Sequence, residues 1–397
     1  MKIGIDLRCL NYAKYTGINA YCIHILGCLL DLKVKSPIKI DFVGIGLKRV
    51  RLLELNEEFE YIKNLFSSYR TLEDYYNSQL KNTKLLELIS CGQIYLNNSL
   101  DFEDLESFDY LIQPQPRPIK LHPKTKLITF YHDLYHIIEG KLRLNKILNN
   151  KYNWSLIADR SHKIITNSRS TSIDLCKYLD VDEYKIKQIY PGTPDLDSFR
   201  KSKSLNKHRH SGLDPESPTT EVKHQKPNET YILAISGIEL RKNWHNLLLA
   251  FKHLQLDTSF NQRLVLAGTI VDYQYYNYLL KLISKHNIKN VEWVIEPNEW
   301  DKEGLIEGCE FIVYPGFYEG FGFPILEAQK YKKCILTSKN SSLVEINQNN
   351  IFVNPNNYIS IANGLLLIAE PEFVKSRIDY SWDELLIALE KMLIKCS

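Results

Sequence analysis

No two cysteines in this chain are spaced as CxxC, although eight are present, at positions 9, 22, 28, 91, 176, 309, 334 and 396. That argues against the usual zinc clusters and redox dithiols. With no signal-peptide pattern at the N-terminus, the thiols read as free groups in a reducing compartment. Long apolar runs are lacking too: none approaches ~20 residues, so no membrane-spanning helix is expected. A large excess of either charge is also lacking. Fifty Lys and Arg against 47 Asp and Glu leave a net charge of +3, too little to argue for nucleic acid. No GxGxxG follows the first strand-like segment, where the chain reads "GIDLRCLNYAKYTG". A dinucleotide oxidoreductase is thereby disfavoured.

What is present suits two ordinary domains. Of 397 residues, 44% are hydrophobic and 24% charged, a composition that can bury two cores. In the first half "KIGID" (2–6), "IKIDFVGIG" (38–46), "YLIQP" (110–114), "KLITFYH" (126–132) and "HKIITNS" (162–168) read as strands. The segments "NAYCIHILGCLLDL" (19–32) and "TSIDLCKYL" (171–179) between them have helical character. The second half repeats the style with "TYILAIS" (230–236), "RLVLAG" (263–268), "VEWVIE" (291–296), "CEFIVYP" (309–315) and "KCILTS" (333–338). Trp244, Leu247, Leu248, Phe251 and Leu254 recur at helical spacing after the first of these. Strands alternating with helices predict an α/β fold of two doubly wound parallel sheets. The expected division is a first domain over 1–199, a linker over 200–228, a second domain over 229–375, and a C-terminal segment over 376–397. The linker is polar, contains proline and has no period, so it cannot bury a core. Its centre, "RHSGLDPESPTTE", resembles the translated short palindromic repeats inserted in some bacterial genes, and an exposed linker tolerates such an insertion.

The chemistry concentrates in "YPGFYEGFGFPILEAQKY", Tyr314 to Tyr331. An apolar strand leads in and a helix leads out, with Pro324 expected at the first helical position and Phe323 extended before it. The turn therefore sits at a strand C-terminus and a helix N-terminus, where parallel sheets bind ligands and where phosphate is favoured. Gly320 and Gly322 allow close backbone approach. Glu327 lies one turn into the helix and leans back toward its N-terminus. A carboxylate repels phosphate but accepts hydroxyl hydrogens well, so a vicinal diol such as a ribose is its fitting partner. Glu319, in the loop on the other side of the turn, is expected to be free to face the group beyond the phosphates. An anion site flanked by two hydroxyl acceptors describes a nucleotide sugar.

The stretch "PGFYEGFGFPILEA" resembles the E-x7-E signature of the family-4 retaining glycosyltransferases, which have the GT-B fold of two Rossmann-like domains facing across a cleft. Other segments follow in the family's order along nearly the whole chain: "YTGINAY", "TFYHDLYH", "ITNSRS", "IYPGT", "SGIELRKNWHNLLLAF", "TSKNSSLVEI" and "YSWDELLIALEKML". The resemblance implies that Lys242, with Arg241 beside it, binds the donor diphosphate. It implies that Gly17 lets the first loop close on the diphosphate or acceptor, and that His132 faces the donor sugar. Glu319, His132 and Lys242 are then the catalytic set. Gly17, Arg241, Lys242, Gly320, Phe321, Gly322, Phe323 and Glu327 are the donor-binding set. The last helix is expected to cross back toward the first domain. There are departures. Gly316 stands where the family usually has serine, "KYKKCI" replaces its G-x-P turn, and Ile238 occupies a position where some members have a phosphate-binding arginine.

The implied activity is retaining transfer of a hexose from a nucleotide-diphosphate sugar to a saccharide or lipid-linked saccharide acceptor, in surface polysaccharide or lipopolysaccharide synthesis. GDP-mannose is the first choice of donor, from likeness to the mannosyltransferase branch, and UDP-sugars stay open. No metal or other cofactor is implied, and no Asp-x-Asp pair stands at the site. A cytoplasmic location is expected. The basic, apolar-interleaved "KLRLNKILNNKYNWSLI" (141–157) could touch anionic lipid at the inner membrane face, although a solvated helix packing on its own domain is the simpler reading. The alternative function is a nucleotide-sugar-binding protein without catalysis, or a partner subunit of an active transferase.

Overall fold

Short runs of Ile, Leu, Val and Phe with no polar alternation cannot face water on either side, and both halves of the chain build parallel sheets from them. The computed structural model describes residues 1–11, 17–47, 66–71, 100–101, 107–117, 119–138, 153–193, 230–257, 260–347, 351–369 and 380–394. The chain divides into two units, Met1–Leu205 with Tyr380–Ser397, and Asn206–Asp379. The linker expected at 200–228 and residues 141–152 of the basic segment lie outside the described residues.

Unit 1 holds β1 (Lys2–Asp6), β2 (Asp41–Leu47), β3 (Phe66–Thr71), β4 (Tyr110–Gln113), β5 (Lys126–Tyr131), β6 (Ser161–Thr166) and β7 (Ile186–Gln188). They form one parallel sheet in the order β3-β2-β1-β4-β5-β6-β7. Helix α1 (Gly17–Lys35) buries Tyr21, Ile23, Ile25, Leu26 and Leu29 completely. By length and composition α1 could cross a bilayer, which the sequence reading did not anticipate. Its buried share of 61% marks it instead as a core helix of this unit. Helix α2 (Arg169–Leu179) starts where the Ser168 side chain accepts from the Thr171 backbone, satisfying one of the donors a helix leaves open.

Unit 2 holds β8 (Ile232–Ile235), β9 (Leu264–Gly268), β10 (Val291–Ile295), β11 (Phe311–Tyr314), β12 (Cys334–Ser338) and β13 (Ile351–Val353). Their order, β10-β9-β8-β11-β12-β13, repeats that of the first sheet, and all are parallel. Helix α3 (Trp244–Leu254) packs Trp244, Leu247, Leu248, Phe251 and Leu254 into the core, each worth about 1.5–3 kcal/mol of burial. Helices α4 (Tyr273–Lys285), α5 (Glu299–Gly308), α6 (Phe323–Lys330) and α7 (Tyr358–Ile368), with one further helical turn at Leu343–Ile346, also belong to the unit. In each sheet the strand order reverses direction between the first and fourth strands, and ligands bind outside the carboxyl ends of strands at such a reversal.

Helix α8 (Asp383–Leu393), near the end of the chain, belongs to unit 1. Its entry is fixed by Trp382, which stacks on His24 with ring centroids 4.3 Å apart and donates from Nε1 to the Thr193 carbonyl at 3.1 Å. Its own Leu385, Leu389 and Leu393 are fully buried.

Candidate active site

At the reversal point of the second sheet, two loops meet. One follows β8 and turns through Leu240–Lys242. The other follows β11 and runs from Pro315 to Gly322. Asn243 joins them. Its backbone is left-handed (φ 62°), and its side chain donates to the carbonyls of Pro315 (2.9 Å) and Pro355 (2.7 Å). The Phe317 amide donates to the Arg241 carbonyl at 2.8 Å. A β-carbon on Gly316 would stand only 3.3 Å from that same carbonyl oxygen. The departure from serine at this position thus lies where the two loops touch.

Glu319 does not stand free. It is 6% exposed, and its carboxylate pairs with Lys242, which is equally buried, and with Arg241 at 3.0 Å. Lys242 Nζ also donates to the Tyr314 hydroxyl at 2.7 Å, and Arg241 Nε binds Glu239 at 2.7 Å. The physical reason is that a buried ammonium without a counter-charge is costly, and Glu319 supplies one. Burial opposes ionisation of Glu319, but Arg241, Lys242 and a hydrogen bond from Tyr314 outweigh it and hold the carboxyl below its ordinary pKa. Burial and the charge of Arg241 pull Lys242 below its own ordinary value, opposed by Glu319 and Glu239. Tyr314 is pushed up by burial and by Glu319. Two cations and two carboxylates therefore share one neutral cluster.

The turn carrying Glu319 is tied down by a segment that the sequence reading noted only for its family likeness. Asn340 donates to the Phe317 carbonyl at 2.7 Å, and Ser341 accepts from the Glu319 amide at 3.0 Å. The buried Ser342 hydroxyl lies 2.9 Å from the carbonyls of both Glu319 and Phe321. Gly320 and Phe321 are buried within this turn, and the rings of Phe321 and Phe323 meet edge to face at 5.5 Å. Gly322 precedes α6 with φ 104°, and a β-carbon there would meet Leu343 and Ile346 at 3.2 Å. Conformation and space both require glycine. Helix α6 begins at Phe323, one residue earlier than expected, so Pro324 is its second residue and Phe323 is helical. Glu327 points its Oε1 at Lys302 of α5, 2.5 Å away, while its Oε2 is buried and has no hydrogen-bond partner among the described residues.

Gly17 and His132 lie in unit 1. Gly17 is exposed and is the first residue of α1. His132 follows β5 at its carboxyl end, and its Nε2 bonds the Pro114 carbonyl at 2.6 Å. Since a carbonyl only accepts, Nε2 carries the proton. Burial lowers the His132 pKa, opposed by the Pro114 contact and by Asp133. At the carboxyl end of β1, Asp6 and Arg8 form a bidentate pair, each 2% exposed, with bonds of 2.9 and 2.6 Å, and Gln113 donates to Asp6 at 3.2 Å. Burial works against the Asp6 charge, but Arg8 and Gln113 overcome it and lower its pKa.

These groups set the acid response. All three pKa values, of His132, Asp6 and Glu319, lie below their ordinary 6.5, 3.8 and 4.5. Each therefore contributes stability that is present above its ordinary value and lost as pH falls through its lowered one. Thermal melts should hold level above about pH 6.5, decline first through His132 and the less buried His162, whose pKa burial, Lys126 and Lys163 also lower, and fall more steeply below about pH 4 as the two carboxylates protonate. Asp6→Asn should show a lower plateau and a shallower acid fall.

Of the residues singled out in the sequence, the structure brings Arg241, Lys242, Glu319, Gly320, Phe321, Gly322, Phe323 and Glu327 to one edge of the second sheet. Residues 217–381 match the family described as Glycosyl transferases group 1. Over 173 residues the chain is 31% identical to the O-antigen chain mannosyltransferase B of Escherichia coli, a stretch covering 42% of each protein. The chain thus spans less than half of that relative's length. Among solved structures, the sucrose-phosphate synthase of Thermosynechococcus elongatus superposes with a TM-score of 0.64 at 13% identity, over 100% of both chains. HepE of Anabaena, solved with UDP and glucose, superposes with a TM-score of 0.61 at 12% identity, over 100% of this chain and 99% of its own. At these identities the likeness is one of fold, the two parallel-sheet α/β domains of the GT-B class.

Proposed function

We propose, from the premise that the second unit carries a glycosyl transferases group 1 domain, that the protein moves a hexose from a nucleotide-diphosphate sugar to a saccharide or lipid-linked saccharide acceptor, with retention of configuration. The observation that carries this reading is the cluster of buried Lys242 and Glu319 with the half-buried Arg241 at the reversal point of the second sheet. Cations held at that place can neutralise a departing diphosphate. Their charge is already balanced, so a diphosphate engages them by competing with Glu319. Glu327, one turn into α6, takes the ribose hydroxyls. Glu319, once displaced from the cations, is the acceptor for the hexose hydroxyls, and His132 keeps its assignment as a sugar-contacting residue of unit 1. The leaving phosphate itself assists deprotonation of the acceptor, and no metal ion is needed.

GDP-mannose is the first donor to test, supported by the mannosyltransferase named among the relatives, and surface polysaccharide is the matching product. UDP-sugars form the second arm. The test is nucleoside-diphosphate release from a panel of GDP- and UDP-sugars with a saccharide acceptor, followed by the anomeric configuration of the product by NMR. One donor should turn over, and the product should keep the donor's configuration. Inverted configuration contradicts the retaining mechanism. Binding without turnover favours a nucleotide-sugar-binding protein or a partner subunit.

A further inference from the structure

We infer that Lys302 is a positioning residue for the ribose acceptor: by holding Oε1 of Glu327 it leaves Oε2 as the atom that receives the nucleotide's hydroxyl. The inference rests on the assignment of Glu327 to the ribose. It adds a residue from a different helix, 25 positions away in the chain.

The geometry points this way on three counts. The Lys302–Glu327 bond is 2.5 Å, and the two side chains are only 24% and 12% exposed, so the pair is largely shielded from competing water. The other oxygen, Oε2, is buried and has no hydrogen-bond partner among the described residues. A buried acceptor left unmatched is unfavourable, and a ligand hydroxyl would relieve it. Finally, Lys302 sits near the start of α5, where a cation opposes the helix dipole.

Helix α5 is a firm mount for this lysine. Its first turn is closed by a capping box, in which the Asn298 side chain accepts from the Asp301 amide and Asp301 accepts from the Asn298 amide. The chain reaches that cap from β10 through Glu296, a non-glycine residue at φ 56°. The route from the carboxyl end of β10 to Lys302 is therefore short and fixed. A clamped carboxylate has one orientation rather than several, so the hydroxyl meets an acceptor already in place.

The test is calorimetric titration of the full-length protein with GDP and UDP, and with their 2′,3′-dideoxy counterparts. Wild type is compared with Lys302→Met, Lys302→Arg and Glu327→Gln. Lys302→Met should weaken the ribonucleotide that binds by about tenfold and the dideoxy form by less than about twofold. Lys302→Arg, which keeps the cation, should restore most of the difference between the two. If Lys302→Met weakens both forms equally, or neither, while Glu327→Gln still discriminates between them, the role given to Lys302 is wrong and the ribose assignment stands. If Glu327→Gln does not discriminate either, the ribose assignment falls and the inference falls with it. A wild type that binds neither nucleotide overturns the donor reading itself.

Discussion

Lys242→Met should lower hexose transfer by about a hundredfold to a thousandfold, the usual loss when one preorganised donor to a developing negative charge is removed. The ammonium is 6% exposed and bonded to Glu319 and Tyr314. It is therefore fixed before any ligand arrives. Methionine keeps most of the volume of the stem. Glu319 would still be paired with Arg241 at 3.0 Å, so the variant should stay folded. The loss should appear in kcat more than in KM, because the charge on the diphosphate grows as the bond to the sugar breaks. Steady-state rates of nucleoside-diphosphate release, with a thermal melt alongside, check both parts.

Glu319 should give two separable effects. Glu319→Ala leaves Lys242 and Arg241 without their shared acceptor, and breaking a buried pair in this way costs about 3–5 kcal/mol. The melting temperature should fall sharply. Glu319→Gln keeps an oxygen for Lys242 but removes the charge that competes with a diphosphate. It should therefore bind GDP or UDP more tightly than wild type, by about threefold to tenfold, while transferring hexose far more slowly. A glutamate that served only to hold the fold would not give opposite signs for product affinity and turnover. Equilibrium titration and single-turnover rates on the same preparation separate the two.

Much of this arrangement was legible in the sequence, and the exceptions have physical causes. The ten strand-like runs correspond to strands β1, β2, β4 to β6 and β8 to β12 because an unbroken apolar run of four to six residues suits a strand buried on both faces. Strands β3, β7 and β13 escaped notice: β3 reads FSSYRT, which contains no apolar run, and the other two have only three residues each, too few to show any period. The site turn was legible because proline and glycine mark a helix start so strongly; only its boundary moved, by one residue. The state of Glu319 was not legible. Its partner Lys242 is 77 positions away, and no local pattern says that a buried cation will claim it. Lys302 carried no signal either, since a lysine in a polar helix is usually solvated. The anchoring of the turn by Asn340, Ser341 and Ser342 was visible only as a likeness in a short polar segment. Gly17 came from resemblance, and His132 from resemblance together with its place at the end of an apolar strand. The structure adds for His132 that its Nε2 is spent on Pro114, so only Nδ1 can accept a hydrogen bond.

The central claim is that the carboxyl edge of the second sheet receives a nucleotide sugar, with the diphosphate at Lys242 and the ribose at Glu327. Its most direct test is calorimetric binding of GDP-mannose and a panel of UDP-sugars to wild type, Lys242→Met and Glu327→Ala, with melts confirming that each variant is folded. The account predicts that wild type binds one donor, and that each variant weakens that donor by about tenfold or more. Folded variants that bind the donor as tightly as wild type would contradict it.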